Sequence, residues 1–253
     1  MEILNIVNSI LGQQKKLDLK YLPSQGLFYK DNFEISIRKA TMDDIIEYEI
    51  NYDNTNIALI LNRLKKIVYN NTIVKNGTGN DIKNVDIIFI FFEIVKFTTK
   101  KEILIEYSTK IGDKTKIEFC AENFNYLNLS RQMSHYDNET KEFNISGYRY
   151  SLPSGGVENS LTDFLVDKST QQNHKKLSEY NYDFIYFLGH KSTLTFSEIE
   201  NLIEIFNFDL DQGELDLIAN IVNIFSGFQH YSLKKNDTFI DITGKINLRD
   251  IWK

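Results

Sequence analysis

The chain has 253 residues, 42% hydrophobic and 25% charged, with a formal net charge of −6. That length buries a sizeable core without staples, and the acidic balance argues against a sequence-independent grip on phosphates. One cysteine, Cys120, excludes an internal disulfide and a cysteine-built zinc site.

The start, Met1 to Val7, carries Glu2 and no basic lead-in, so a secretory leader is not expected. Val85 to Phe97 is the most apolar stretch, but it is short and contains Asp86 and Glu93. A soluble, cytoplasmically made product with no membrane partner is the expectation. Ala occurs four times and Arg five, against 24 Lys, a bias that tracks AT-rich codons.

In chain order, residues 1–19 predict a short amphipathic helix or arm on Leu4, Ile6, Val7, Ile10 and Leu11, then a polar basic link. Leu22-Pro23-Ser24-Gln25-Gly26-Leu27-Phe28-Tyr29 predicts a turn, since Pro23 presets one dihedral and Gly26 accepts a positive one. Phe33, Ile35 and Ile37 alternate with polar residues, the period of a half-buried strand. Thr41 with Asp44 three residues on resembles a capping box and opens a helix over Met42 to Ile50. Asn54 or Thr55 caps a second helix, Asn56 to Tyr69, with Ile57, Ile60, Leu61, Leu64, Ile67 and Val68 on one face. Asn70 to Asn84 is expected to be a polar loop.

Residues 85–98 are apolar nearly all round, so periodicity does not separate helix from strand. Their length, and Asn84 as a cap, favour a central helix. Ile103, Ile105 and Tyr107, then Ile117 and Phe119, alternate around Gly112-Asp113 and predict a hairpin. Strands follow at Phe143 to Ile145 and Tyr148 to Leu152, then a short helix, Leu161 to Val166. The polar run Asp167 to Lys176 reads as a boundary. Beyond it helices are expected at Tyr180 to Leu188, from Thr195 (a capping box with Glu198) to Phe206, and at Asp211 to Phe225, then a strand at Phe239 to Ile242. The fold class is α+β: an arm at 1–19, a mixed helix and antiparallel-strand domain at 20–169, and a mainly helical part at 170–253. Leu22-Pro23-Ser24 is echoed by Leu152-Pro153-Ser154, each followed by a glycine, and two turns of like chemistry account for the echo.

Catalytic and metal constellations are sparse. His135, His174, His190 and His230 form no ligand pair. Asp209 to Gly213 lacks the spacing of a calcium loop, and Gly77-Thr78-Gly79 lacks the lysine of a phosphate loop. A hydrolase using Ser154 and His190 is a remote reading, because the Gly-x-Ser-x-Gly turn is missing. No cofactor, metal, catalysis or nucleic-acid partner is expected.

The order of elements in residues 22–130 resembles the baseplate hub subunits and hub-assembly proteins of T-even-type contractile-tailed phages. Leu22 to Tyr29 resembles that family's Leu-Pro-Ser-Lys-Gly turn with a following aromatic. Ile35 to Thr41 resembles its strand ending in Arg, and Asp43-Asp44-Ile45-Ile46 the acidic helix after it. Asn56 to Lys66 is similar to its second helix, and Asp86 to Ile103 to its buried helix leading into a strand. Some relatives carry paired cysteines that suggest a zinc knuckle; with Cys120 alone, no metal is implied here. The resemblance implies a non-enzymatic virion component of the tail baseplate that docks other baseplate and tail proteins, and its own copies where it oligomerises. The alternative is an assembly chaperone that leaves before the particle is finished. Leu22, Pro23, Gly26, Leu27, Phe28, Tyr29 and Arg38 form the candidate interface: either Leu27, Phe28 and Tyr29 are exposed anchors beside Arg38, or they close the domain's own core.

Overall fold

The computed structural model describes residues 13–50, 57–108, 114–119, 133–145, 148–170, 193–204, 211–213, 215–216, 232–235, 238–241 and 251–252. Over these the chain is mixed α+β, as its patterning predicts. Two three-stranded antiparallel sheets and two hairpins accompany five helices. The expected helices on Leu4 to Leu11 and at residues 180–188 lie outside the described residues, as does most of the one expected at 211–225.

The first sheet has the order β1-β2-β3, from Gln14–Lys16, Glu34–Arg38 and Thr72–Lys75. Ile35 and Ile37 of β2 are fully buried, so the alternation seen in sequence is the inward face of this sheet. Two expectations fail here. The basic link at 14–16 is an edge strand whose Lys15 reaches Glu93 at 2.5 Å. The polar loop at 70–84 contains β3, because Thr72-Ile73-Val74 is a β-branched run that pairs with β2 through Ile37↔Thr72 to Glu34↔Lys75.

Helix α1, Met42–Ile50, starts with the predicted capping box. Asp44 Oδ2 accepts from Thr41 N at 2.9 Å, and Asp44 N donates to Thr41 Oγ1 at 3.2 Å. Helix α2 spans Ile57–Asn71 and α3 spans Ile87–Thr99. Ile87 to Val95 are all buried, the pattern of a helix enclosed on every side. Asn84 does not cap α3: it begins a 3-10 turn, Asn84–Asp86, and Asp86 occupies the cap position with its side chain committed elsewhere. Lys100, at φ 57°, closes the helix in the left-handed conformation.

The predicted hairpin forms as β4, Leu104–Ser108, and β5, Lys114–Glu118. The second sheet has the order β6-β7-β8: Tyr136–Asp137, Glu142–Ile145 and Tyr148–Tyr150. Helix α4, Gly155–Thr170, is longer than predicted and runs into the polar boundary. Helix α5, Phe196–Glu204, opens with the predicted box, Glu198 Oε2 accepting from Thr195 N at 2.8 Å. The predicted terminal strand is β10, Thr238–Asp241, paired with β9, Ser232–Lys235.

The main core gathers β2, α2 and α3 with Tyr48 of α1, Phe119 and Trp252. A smaller core holds Val157, Leu161 and Phe164 of α4 against Leu194 and Ile199.

Candidate functional site: a buried polar junction

The Leu22–Tyr29 turn is held by a charge from elsewhere in the chain. Gln25 and Gly26 take φ of 55° and 71°, a left-handed pair in which glycine is the natural second member. Ser24 is fully buried. Its N–H donates to Asp86 Oδ1 at 2.8 Å and its hydroxyl to Asp86 Oδ2 at 2.7 Å. Tyr29 donates its hydroxyl proton to the same Oδ2 at 2.7 Å and accepts the Lys83 N–H at 3.0 Å. The Asp86 carboxylate therefore receives three hydrogen bonds inside the protein. A buried carboxylate requires such donors, since desolvating an unpaired charge costs several kcal/mol.

Burial dominates the titration of the groups here. It pushes the Asp86 carboxyl up from 3.8 to about 6 against the pull of its donors from Tyr29 and Ser24. Burial likewise pushes the Lys83 amine down to about 8, with Asp81, Asp86 and Glu142 acting in the other direction. Tyr29 is held well above its ordinary range by burial and by the Asp86 charge.

The other side of the same segment is clasped by residues 151–158. Asn84 N donates to Pro153 O at 3.0 Å and Gly155 N to Ile82 O at 3.0 Å, around an antiparallel bridge between Lys83 and Ser154. Lys83 Nζ donates to Ser151 Oγ at 3.3 Å. Glu158, one turn into α4, pairs with Lys65 of α2 at 2.5 Å and accepts from the Asn84 side-chain amide. The two Leu-Pro-Ser triplets thus meet the segment Ile82–Asp86 from opposite sides. The first binds through the Asp86 side chain, the second through backbone.

The burial of the candidate interface corrects the expectation of exposed aromatic anchors. Phe28 is fully buried between Tyr136 and Phe143, with ring centroids at 6.0 and 5.7 Å. Tyr29 stacks on Phe33 at 4.6 Å. Leu22 and Pro23 are buried too. Leu27 and Gly26 are half-buried, with Leu27 O accepting from the Tyr136 hydroxyl. Arg38 is exposed and donates to Asn70 O at 2.5 Å, away from the turn. The exposed aromatic at this place is Tyr21, 44% accessible, with Lys20 Nζ 4.9 Å from its ring centre. Sequence reading missed Tyr21, because nothing in its local pattern separates it from its buried neighbours.

Ser154 is buried at the N-cap of α4, where its hydroxyl accepts from Val157 N at 3.3 Å. That placement commits the hydroxyl to capping α4; His190 lies outside the described residues. Ser154→Ala is expected to lower stability by about 1 kcal/mol, the usual effect of losing such a cap. Urea unfolding measures it, and a loss below about 0.3 kcal/mol would contradict the capping role. Among the described residues no cluster of three or more metal-binding side chains occurs, and no helix is long and apolar enough to cross a membrane.

The described residues place the chain in the mixed α+β class. In comparisons with known proteins the chain matches no family model, no curated protein and no solved structure.

Proposed function

We propose that this chain is a structural component of a contractile-tailed phage baseplate, in the hub region, working by docking neighbouring baseplate and tail subunits rather than by catalysis. The observation that carries the reading is an ordered set of segments. The Leu-Pro-Ser turn, the strand ending in Arg38, the acidic helix, the second helix and the buried helix follow one another in an order that resembles the T-even-type hub family. The junction supports the reading in a second way. Asp86, at the start of α3, ties the turn that opens this set to the buried helix that closes it. Such a tie holds the surface of the unit in one shape, which reduces what a docking protein loses on binding. Tyr21, Met42 and Ile46 are exposed large side chains of this unit.

Quantitative mass spectrometry of purified particles, counting this chain against the tail-tube protein, tests the proposal. A fixed small-integer ratio is the expected result. Absence from particles with capture on hub proteins in infected-cell extracts would make the chain an assembly chaperone. Absence from both would overturn the assignment to phage assembly.

A further inference from the structure

Between β3 and the junction the chain passes through Asn76-Gly77, the one place in the sequence where asparagine precedes glycine. Both residues are exposed. Asn76 is left-handed, at φ 60°, a conformation asparagine tolerates better than most residues. The Gly77 N–H donates to no acceptor among the described residues. The Asn76 side-chain amide donates to Asn32 O at 2.6 Å, across the open end of the β2–β3 pair.

We propose that Asn76-Gly77 is a self-modifying site, at which the backbone rewrites itself by deamidation in the folded protein. Gly77 N attacks Asn76 Cγ; as the new N–C bond closes a succinimide ring, the Cγ–Nδ2 bond breaks and ammonia leaves with the proton from Gly77. Water then opens either ring carbonyl, giving aspartate or isoaspartate. No electrons are exchanged, and water is the one co-reactant. The Gly77 N–H has no hydrogen bond to break and no side chain of its own residue to screen it; the Phe33 ring packs on Gly77, and the Asn76 amide gives up Asn32 O as ammonia leaves.

The structural consequence is directional. Either product replaces the Asn76 donor with a carboxylate oxygen, which has no proton to offer the Asn32 carbonyl. The contact across the end of β2–β3 is lost, and a negative charge appears near Asp81, which faces Gly77. The isoaspartyl form also lengthens the backbone by one methylene. The change is one-way, so it records the age of the molecule. The site stands independently of the proposed role in a baseplate.

The test is to age the intact protein in mildly alkaline buffer beside a synthetic peptide of residues 76–83, and to follow both by peptide mapping and an isoaspartate assay. Conversion at Asn76 in the folded chain is expected within about tenfold of the peptide's rate. Asn80, in the same peptide, serves as the internal standard and stays unconverted over the same interval. Conversion of the folded chain more than about tenfold slower than the peptide, or equal conversion at Asn80, would overturn the proposal. Gly77→Ala is a poor control in the protein, since a Cβ there would lie 2.5 Å from the Phe33 ring. Asn76→Gln leaves Gly77 in place and is expected to abolish the isoaspartate signal; a signal that persists in this variant also counts against the site.

Discussion

Replacing Asp86 with alanine is expected to destabilise the protein by about 3 kcal/mol or more, enough to threaten folding of a domain of ordinary stability. The substitution leaves Ser24 N, Ser24 Oγ and the Tyr29 hydroxyl buried without their acceptor, and each such group costs about 1–3 kcal/mol. Asp86→Asn keeps the shape and one acceptor oxygen, so a smaller loss, about 1–3 kcal/mol, is expected at neutral pH. The two substitutions also separate by pH. A carboxyl raised from 3.8 to about 6 on folding holds its proton more readily in the folded state. Its stabilising contribution is complete below 3.8 and is lost as the pH rises through about 6. Wild type therefore gains on Asp86→Asn as the pH falls from neutrality to about 4, by up to about 3 kcal/mol. Paired urea titrations across that range measure the gap, and a gap that stays flat or narrows would remove Asp86 as the buried charge of the junction.

The second large effect lies at Trp252, the only tryptophan. Its ring meets Phe91 edge-on at 5.7 Å and Tyr48 at 6.3 Å, in the main core. Trp252→Ala is expected to cost about 3–5 kcal/mol, the range for deleting a large buried aromatic. Trp252→Phe is expected to cost less than about 1.5 kcal/mol, as a volume-reducing but chemically matched change. The reason is the indole N–H, which is buried with no hydrogen-bond partner among the described residues. Phenylalanine keeps the edge-to-face contacts and removes that unsatisfied donor. Near-ultraviolet dichroism and urea midpoints compare the variants. A phenylalanine variant as unstable as the alanine variant would mean that the N–H is satisfied after all.

Much of the fold is legible where the chain carries local chemistry. The boxes at Thr41 and Thr195 mark their helices because hydroxyl and carboxylate sit three residues apart, a signal confined to one turn. Ile35 and Ile37 mark β2 by simple alternation. Strand β3 escapes because four residues beside Asn-rich loop sequence carry too little periodicity. The junction was the least legible part. Asp86 was visible as a charge interrupting an apolar run, and a buried acid demands donors. Those donors come from Ser24 and Tyr29, 62 and 57 residues earlier, separations no local pattern spans. The echo of the two Leu-Pro-Ser triplets pointed to the place without naming it, since two surface turns would produce the same letters. Burial of Phe28 likewise depended on Tyr136 and Phe143, strand residues far along the chain.

The clasp around Ile82–Asp86 also has a history in time. Its upstream half, the Ser24 turn, has left the ribosome before Asp86 appears. Its downstream half comes later, since Ser151 follows Lys83 by 68 residues. At about 5–20 residues per second, the ribosome leaves that gap open for roughly 3–14 s. During that interval the Lys83 amine, the Asn84 N–H and the Ile82 carbonyl lack the groups they meet in the finished molecule. The nascent chain is then a template for any extended segment nearby, whether its own next strand or one from a neighbouring polysome. Slowing synthesis between Asp86 and Ser151 is thus expected to raise aggregation of newly made chains without altering the folded protein.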